Sequence, residues 1–132
     1  MKLKFHHVAI TVRNIEKSVK WYKDKLDFKV LHDYEKHGMH IVQLKKDEVR
    51  LELFHFSKAT KTLPNYRKEL MNDLHVLGTK HLCIEVDDLD AIIKYLKSKG
   101  VTFATQIDTA GFGGRYIFFK DCNGILIELY ES

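Results

Sequence analysis

The chain has 132 residues, of which 45% are hydrophobic and 30% are charged, with a formal net charge of +4 and one proline. This length suits a single domain with a proper core, and the composition excludes a disordered chain. The charges lie in short mixed-sign runs and no apolar run could span a bilayer, so we expect neither nucleic acid nor a membrane as partner. Two isolated cysteines and the lack of a signal-peptide pattern predict a reduced, cytoplasmic protein.

The first half of the chain predicts one strand, one helix and three further strands. The strand covers residues 5–12, and Asn14 after it is a good N-cap for the helix. Helical periodicity is carried by four apolar residues: Ile15, Val19, Tyr22 and Leu26. Strand-like segments follow at residues 28–35, 39–46 and 49–56.

A connector of about residues 57–79 separates the two halves. Pro64 suits the first turn of a short helix that would end at Gly78. The apolar face of this helix is predicted to comprise Tyr66, Leu70, Leu74 and Leu77.

The second half repeats the pattern of the first. A strand at residues 80–87 leads to Asp88 as N-cap, and Gly100 is a stop signal for the helix that follows. The helix has apolar residues at Leu89, Ile92, Ile93 and Leu96. Three strands are predicted at residues 101–107, 115–121 and 125–131, the last two joined by a "DCNG" turn. The repeat predicts an α+β fold of two tandem βαβββ modules, about residues 5–56 and 80–132.

Four chemically reactive residues recur at matched places in the two modules. Side chains alternate across a strand, so in "RLELF" (50–54) and "LIELY" (126–130) each glutamate faces away from its apolar neighbours. The same alternation turns His7, Glu52, His81 and Glu128 away from the helices. If the sheets curve, these faces would line a concave surface on which the four groups could meet.

Two imidazoles and two carboxylates form a nitrogen–oxygen donor set that suits Zn, Ni, Co, Mn or Fe(II). The charge of a metal would stabilise carboxylates placed among apolar residues. Each residue alone has a simpler interpretation: Glu52 could lie on an exposed sheet face beside Arg50, and Glu128 could face solvent. Recurrence in both halves favours the metal site.

The sequence resembles the vicinal oxygen chelate superfamily. This family includes glyoxalase I, methylmalonyl-CoA epimerase, fosfomycin-resistance enzymes, bleomycin-resistance proteins and extradiol dioxygenases. The resemblance is carried by "HHVAITVRNIEKSVKWYKDKLDFKV", "VRLELF", "GTKHLCIEVDDLDA" and "YIFFKDCNGILIELYE". It implies two βαβββ modules whose sheets curve around a metal-binding cavity, and a homodimer.

Within that family, the glyoxalase I pattern has one His and one Glu from each module, and His7, Glu52, His81 and Glu128 match it. The resemblance implies a Ni, Zn or Co ion, with Fe or Mn as alternatives. It also implies a lactoylglutathione lyase-like enzyme that acts on the thiohemiacetal of a 2-oxoaldehyde with glutathione or another thiol. Proton transfer through an enediolate would be catalysed by Glu128 or, as second choice, Glu52.

Other assignments stay open at this level. Arg50 could bind a substrate anion or form an ion pair, and Phe118 could line the substrate pocket or pack in the core. Cys83 is interpreted as a small cavity-lining residue, since no partner base is evident. The alternative functions are another metalloenzyme of the superfamily (dioxygenase, epimerase or antibiotic thiol transferase) and a protein that sequesters a small ligand.

Overall fold

The computed structural model describes residues 1–58 and 61–132, which form two compact units, residues 1–62 and 63–132. The unit boundary lies inside the predicted connector, so most of that segment packs with the second unit. Each unit contains an open, curved four-stranded sheet and the helix between its first two strands. The predicted α+β fold of two βαβββ modules is confirmed.

The first unit contains one sheet and one long helix. Its elements are β1 (Val8–Thr11), α1 (Ile15–Leu26), β2 (Lys29–Lys36), β3 (Met39–Lys46) and β4 (Val49–His55). The strand order is β1-β4-β3-β2, with β1 parallel to β4 and the other pairs antiparallel. Tyr22 of α1 is buried, as are Leu51 and Leu53 of β4. This alternation leaves Arg50 and Glu52 on the other face of the strand.

The second unit repeats this topology. Its elements are a 3-10 turn (Asn65–Arg67), α2 (Leu70–Leu74), β5 (Leu82–Glu85), α3 (Leu89–Ser98), β6 (Asp108–Thr109), β7 (Arg115–Lys120) and β8 (Leu126–Glu131). The strand order is β5-β8-β7-β6, and β5 is parallel to β8. Among the described residues, none of the helices has the length and apolar character needed to traverse a bilayer.

Both predicted N-caps are present. The Asn14 side chain accepts a hydrogen bond from the Lys17 N–H at 2.9 Å, and Asp88 accepts one from the Ala91 N–H at 2.9 Å. Each cap satisfies a backbone donor that the first turn of a helix leaves unpaired. The caps fix where α1 and α3 begin, directly after the strands that carry the candidate histidines.

The prediction of a single helix in the connector is wrong. Glu69 has an extended backbone (φ −128°, ψ 133°), which divides the segment into the 3-10 turn and the five-residue α2. Three of the four residues of the predicted apolar face are exposed: Tyr66, Leu74 and Leu77. The segment is anchored by a polar contact instead, because Asp73 is buried and lies 3.5 Å from the Lys80 ammonium.

The prediction of a strand at residues 101–107 is also wrong. This segment forms only an isolated bridge between Phe103 and Phe119, and the edge strand β6 is two residues long. Ala104 donates its N–H to the Phe118 carbonyl at 2.8 Å, but the Phe118 N–H is accepted by the Thr105 hydroxyl at 3.0 Å. A side chain thus takes the place of a backbone carbonyl, and the ladder does not continue.

The carboxylate of Glu131 joins β8 to the start of α3. It accepts the Leu89 N–H at 2.6 Å and two hydrogen bonds from the Arg115 guanidinium at 2.8 and 3.1 Å. The Leu89 N–H first, and then Arg115, hold the pKa of Glu131 below its ordinary value. Arg115 also contacts Asp90 at 3.2 Å, so it has a structural role here.

We expect Glu131→Gln to lower the free energy of unfolding at pH 7. A group whose folded-state pKa is lowered stabilises the protein above its ordinary pKa, and this contribution disappears as the pH falls through the folded-state value. The difference between wild type and variant should therefore shrink below about pH 4.5. Urea unfolding at several pH values measures it, with the exposed turn residue Glu48→Gln as control. A pH-independent difference would contradict the prediction.

Candidate metal centre

The first unit places His7 beside Glu52. His7 immediately precedes β1, and the parallel register pairs Ala9 of β1 with Glu52 of β4. His7 Nε2 lies 3.7 Å from Glu52 Oε1. The two residues are 45 positions apart in sequence, and the parallel pairing of β1 with β4 brings them together.

Two further contacts hold this pair from outside. Gln43, opposite Glu52 on β3, donates to Glu52 Oε2. Arg50 lies 3.0 Å from His6 Nε2, and His6 Nδ1 lies 2.8 Å from His7 Nδ1. Because a guanidinium only donates, His6 Nε2 must accept, and the proton of the neutral His6 ring then sits on Nδ1 and is donated to His7.

The second unit repeats the pair at shorter range. His81 immediately precedes β5, and its Nε2 lies 2.9 Å from Glu128 Oε2. Cys83 and Glu128 are register partners, as Ala9 and Glu52 are in the first unit. His81 Nδ1 is buried and has no hydrogen-bond partner among residues 1–58 and 61–132.

The surroundings of Glu128 are more apolar than those of Glu52. Phe118, opposite Glu128 on β7, is 3% exposed, and its ring lies 4.8 Å from the His81 ring in a perpendicular arrangement. Leu126, which shares the strand face of Glu128, is also buried. Phe118 is therefore both a core residue and a wall beside the His81–Glu128 pair.

The residues present fit a divalent metal. The side chains of Glu52 and Glu128 are only 14% and 19% exposed, and neither forms an ion pair with a lysine or arginine in the described part of the chain. Half-buried carboxylates without a permanent cation are stabilised by a bound cation. Within each unit the described residues provide a pair, and they contain no cluster of three or more ligand-type side chains.

The thiol of Cys83 lies beside Glu128 and has a raised pKa. Partial burial, and then the neighbouring carboxylate of Glu128, raise the pKa of Cys83 to about 12. A thiol with that pKa carries almost no thiolate at neutral pH, and a thiolate is the nucleophilic form. The raised pKa therefore argues against Cys83 as a nucleophile, although the residue is exposed.

The comparison with known proteins assigns the family. The sequence profile of the Glyoxalase/Bleomycin resistance protein/Dioxygenase superfamily matches residues 4–129. The chain belongs to this superfamily. Its structure is similar to the crystal structure of a glyoxalase family protein from Enterococcus faecalis. The TM-score is 0.81 and the sequence identity is 27%, over 97% of each chain.

Two curated relatives have different activities. The mitochondrial methylmalonyl-CoA epimerase of Homo sapiens is 29% identical over 98% of this chain and 74% of its own length. The lactoylglutathione lyase of Schizosaccharomyces pombe is 28% identical over 98% of this chain, which spans 47% of the lyase. The superfamily thus includes relatives with two different named reactions.

Sequence reasoning did not identify Gln43 and His6 as neighbours of the site. Gln43 had a signal, since it is a lone polar residue in the apolar part of "MHIVQL". The only sequence signal for His6 is its position next to His7. Its contact with Arg50 depends on the parallel pairing of distant strands.

We expect Glu128→Gln to speed the alkylation of Cys83 in metal-free protein, because the variant removes a carboxylate that raises the thiol pKa. Each unit by which the pKa falls multiplies the thiolate fraction about tenfold, so a rise of roughly threefold or more is expected. Iodoacetamide labelling followed by mass spectrometry measures the rate in a Cys122→Ser background. Glu85 makes the smallest contribution to the raised pKa of Cys83, so Glu85→Gln should produce a smaller rise in the alkylation rate. An unchanged rate in Glu128→Gln would contradict the assignment.

Proposed function

We propose that this protein is a metal-dependent epimerase of the superfamily, acting on a small coenzyme A thioester with an acidic proton next to its carbonyl. Support comes from the repeated His–Glu pairs and the similarity to methylmalonyl-CoA epimerases. The comparisons support this alternative better than the lactoylglutathione lyase activity that the four-residue pattern suggested. A homodimer and a cytoplasmic location remain part of the proposal.

The proposed ligands of the ion are His7, Glu52, His81 and Glu128, and the ion would be nickel, zinc or cobalt, with iron or manganese as alternatives. When bound, such an ion supplies Lewis-acid polarisation of a substrate carbonyl.

The carboxylates of the chain would move the proton. Epimerisation removes a proton from one face of a carbon and returns one to the other face, so it needs two proton-carrying groups or one group that reaches both faces. Glu128 is the first candidate because its neighbours Phe118 and Leu126 are buried and apolar, and water there would not compete for the proton. Glu52, tied to Gln43, is the second.

A second candidate function is a lyase of the glyoxalase I type. It is favoured by the presence of a glutamate in both pairs and by the similarity to the yeast lyase. Its reaction is also a proton transfer next to a carbonyl, so the same residues would serve it. Glutathione or another thiol would be part of that substrate.

We expect the purified protein to carry close to one divalent ion per chain, and to lose it on dialysis against a chelator. Replacing His7, Glu52, His81 or Glu128 by alanine should each lower the metal content by at least about tenfold, because each removes a ligand. Plasma mass spectrometry on untagged protein measures the content. His75→Ala, an exposed residue after α2, is the matched control. Full metal content in all four variants would refute the proposed ligand set.

The epimerase activity is tested with (2R)-methylmalonyl-CoA in D₂O. NMR should show exchange of the C2 proton and conversion to the 2S form, and Glu128→Gln should lower kcat by about 100-fold or more. The same preparation is assayed with methylglyoxal and glutathione. Turnover of that mixture alone would establish the lyase and refute the epimerase. Tight substrate binding without exchange in either assay would favour a sequestering protein.

A further inference from the structure

Three basic residues form a row across the sheet of the first unit, beside the His7–Glu52 pair. Lys29 of β2 is the register partner of Lys45 of β3, and Lys45 is the register partner of Arg50 of β4. Register partners in antiparallel strands place their side chains on the same face of a sheet. Neighbouring strands are about 4.8 Å apart, so this basic row spans about 10 Å.

The basic row lies on the face that carries the candidate site. Lys45 is two residues from Gln43, and Arg50 is two residues from Glu52, so all four share one face. Arg50 also donates to His6, which contacts His7. An anion bound along the row would therefore lie directly beside His7 and Glu52.

No carboxylate of the described residues neutralises these three cations. The next residue, Lys46, pairs with Asp27 at 3.5 Å and Asp47 at 3.4 Å, but Lys29, Lys45 and Arg50 form no ion pair in residues 1–58 and 61–132. Like charges directly opposite one another destabilise a sheet. A row of three is an arrangement that a bound anion would stabilise.

The second unit lacks this feature at the corresponding positions. There Lys120 and Leu126 are the register partners that match Lys45 and Arg50. Lys120 donates its ammonium to the Lys68 carbonyl, and Leu126 is buried. In the first unit, by contrast, Lys29 and Lys45 have no hydrogen bond or ion pair from their side chains within the described residues, and Arg50 contacts only His6.

We propose that Lys29, Lys45 and Arg50 bind the phosphate groups of the substrate, and that this row selects a nucleotide-bearing thioester over a small uncharged one. The inference rests on the proposed function, and it deepens it by assigning the part of the chain that recognises the carrier. Lysine and arginine form charge-assisted hydrogen bonds with phosphate oxygens, and arginine does so in a bidentate manner. A row of about 10 Å matches a linear set of phosphates better than a single carboxylate.

The test uses coenzyme A itself as probe, measured by calorimetry on the full chain at two salt concentrations. Lys29→Gln/Lys45→Gln should raise the Kd for coenzyme A at least about tenfold and reduce the salt dependence of binding, because two charge-assisted contacts are lost. Lys17→Gln/Lys94→Gln removes the same charge from exposed helix positions and should leave Kd unchanged. Lys45→Arg should restore binding that Lys45→Gln loses. Equal Kd in both double variants would overturn the proposal.

A second measurement separates this inference from the proposed function. For methylmalonyl-CoA, the Lys29→Gln/Lys45→Gln variant should raise KM about tenfold with little change in kcat. If wild type turns over the thioester and this variant keeps its KM, the epimerase stands and the basic row is refuted. If coenzyme A binds through the row but no thioester is turned over, the row stands and the epimerase is refuted. Binding of single-stranded DNA in preference to coenzyme A would also refute the row.

Discussion

The parallel pairing of the first and last strands in each unit is the constraint on which the site depends. It sets Ala9 against Glu52 and Cys83 against Glu128, so the histidine that precedes each first strand lies next to the glutamate of the last. The βαβ connection makes this pairing possible, since parallel neighbours need a crossover and α1 and α3 begin it. Leucines on alternate positions then fix the face, because a one-residue slip would bury the carboxylates.

The two pairs share a backbone frame but differ in what lies across the ladder. Gln43 stands opposite Glu52 and donates to it, whereas Phe118 stands opposite Glu128 and donates nothing. Glu52 is held by this amide while His7 lies 3.7 Å away, whereas Glu128 is held by His81 at 2.9 Å beside the Phe118 ring. The same frame thus gives the glutamate its close partner across the ladder in one unit, and at the histidine before the first strand in the other.

Much of this arrangement follows from the sequence. The repeat, the N-caps Asn14 and Asp88, and the period-two faces of β4 and β8 are local signals, and they predicted the modules and the four candidate residues. The connector could not be predicted in this way, because its fold depends on burial of Asp73 beside Lys80 instead of on an apolar stripe. The strand predicted at residues 101–107 is absent for a similar reason. The Thr105 hydroxyl accepts the Phe118 N–H, which a strand partner would otherwise have bound.

The cross-strand contacts lay beyond sequence reasoning as well. Gln43 and His6 are significant only in a known register, and register depends on the whole sheet. The same is true of the alignment of Lys29 with Lys45 and Arg50, whose charges look like ordinary surface residues when read one at a time.

The parallel pairing also has a consequence for the order of folding. His81 and Glu128 are 47 residues apart in sequence, whereas β3 and β4 are joined by a turn of two residues. Closing a long loop has a larger entropic cost than closing a hairpin, so distant contacts form late. Each histidine meets its glutamate only once the first strand has paired with the last strand of its unit. A nascent or partly unfolded module therefore has the residues of the site but not the pair.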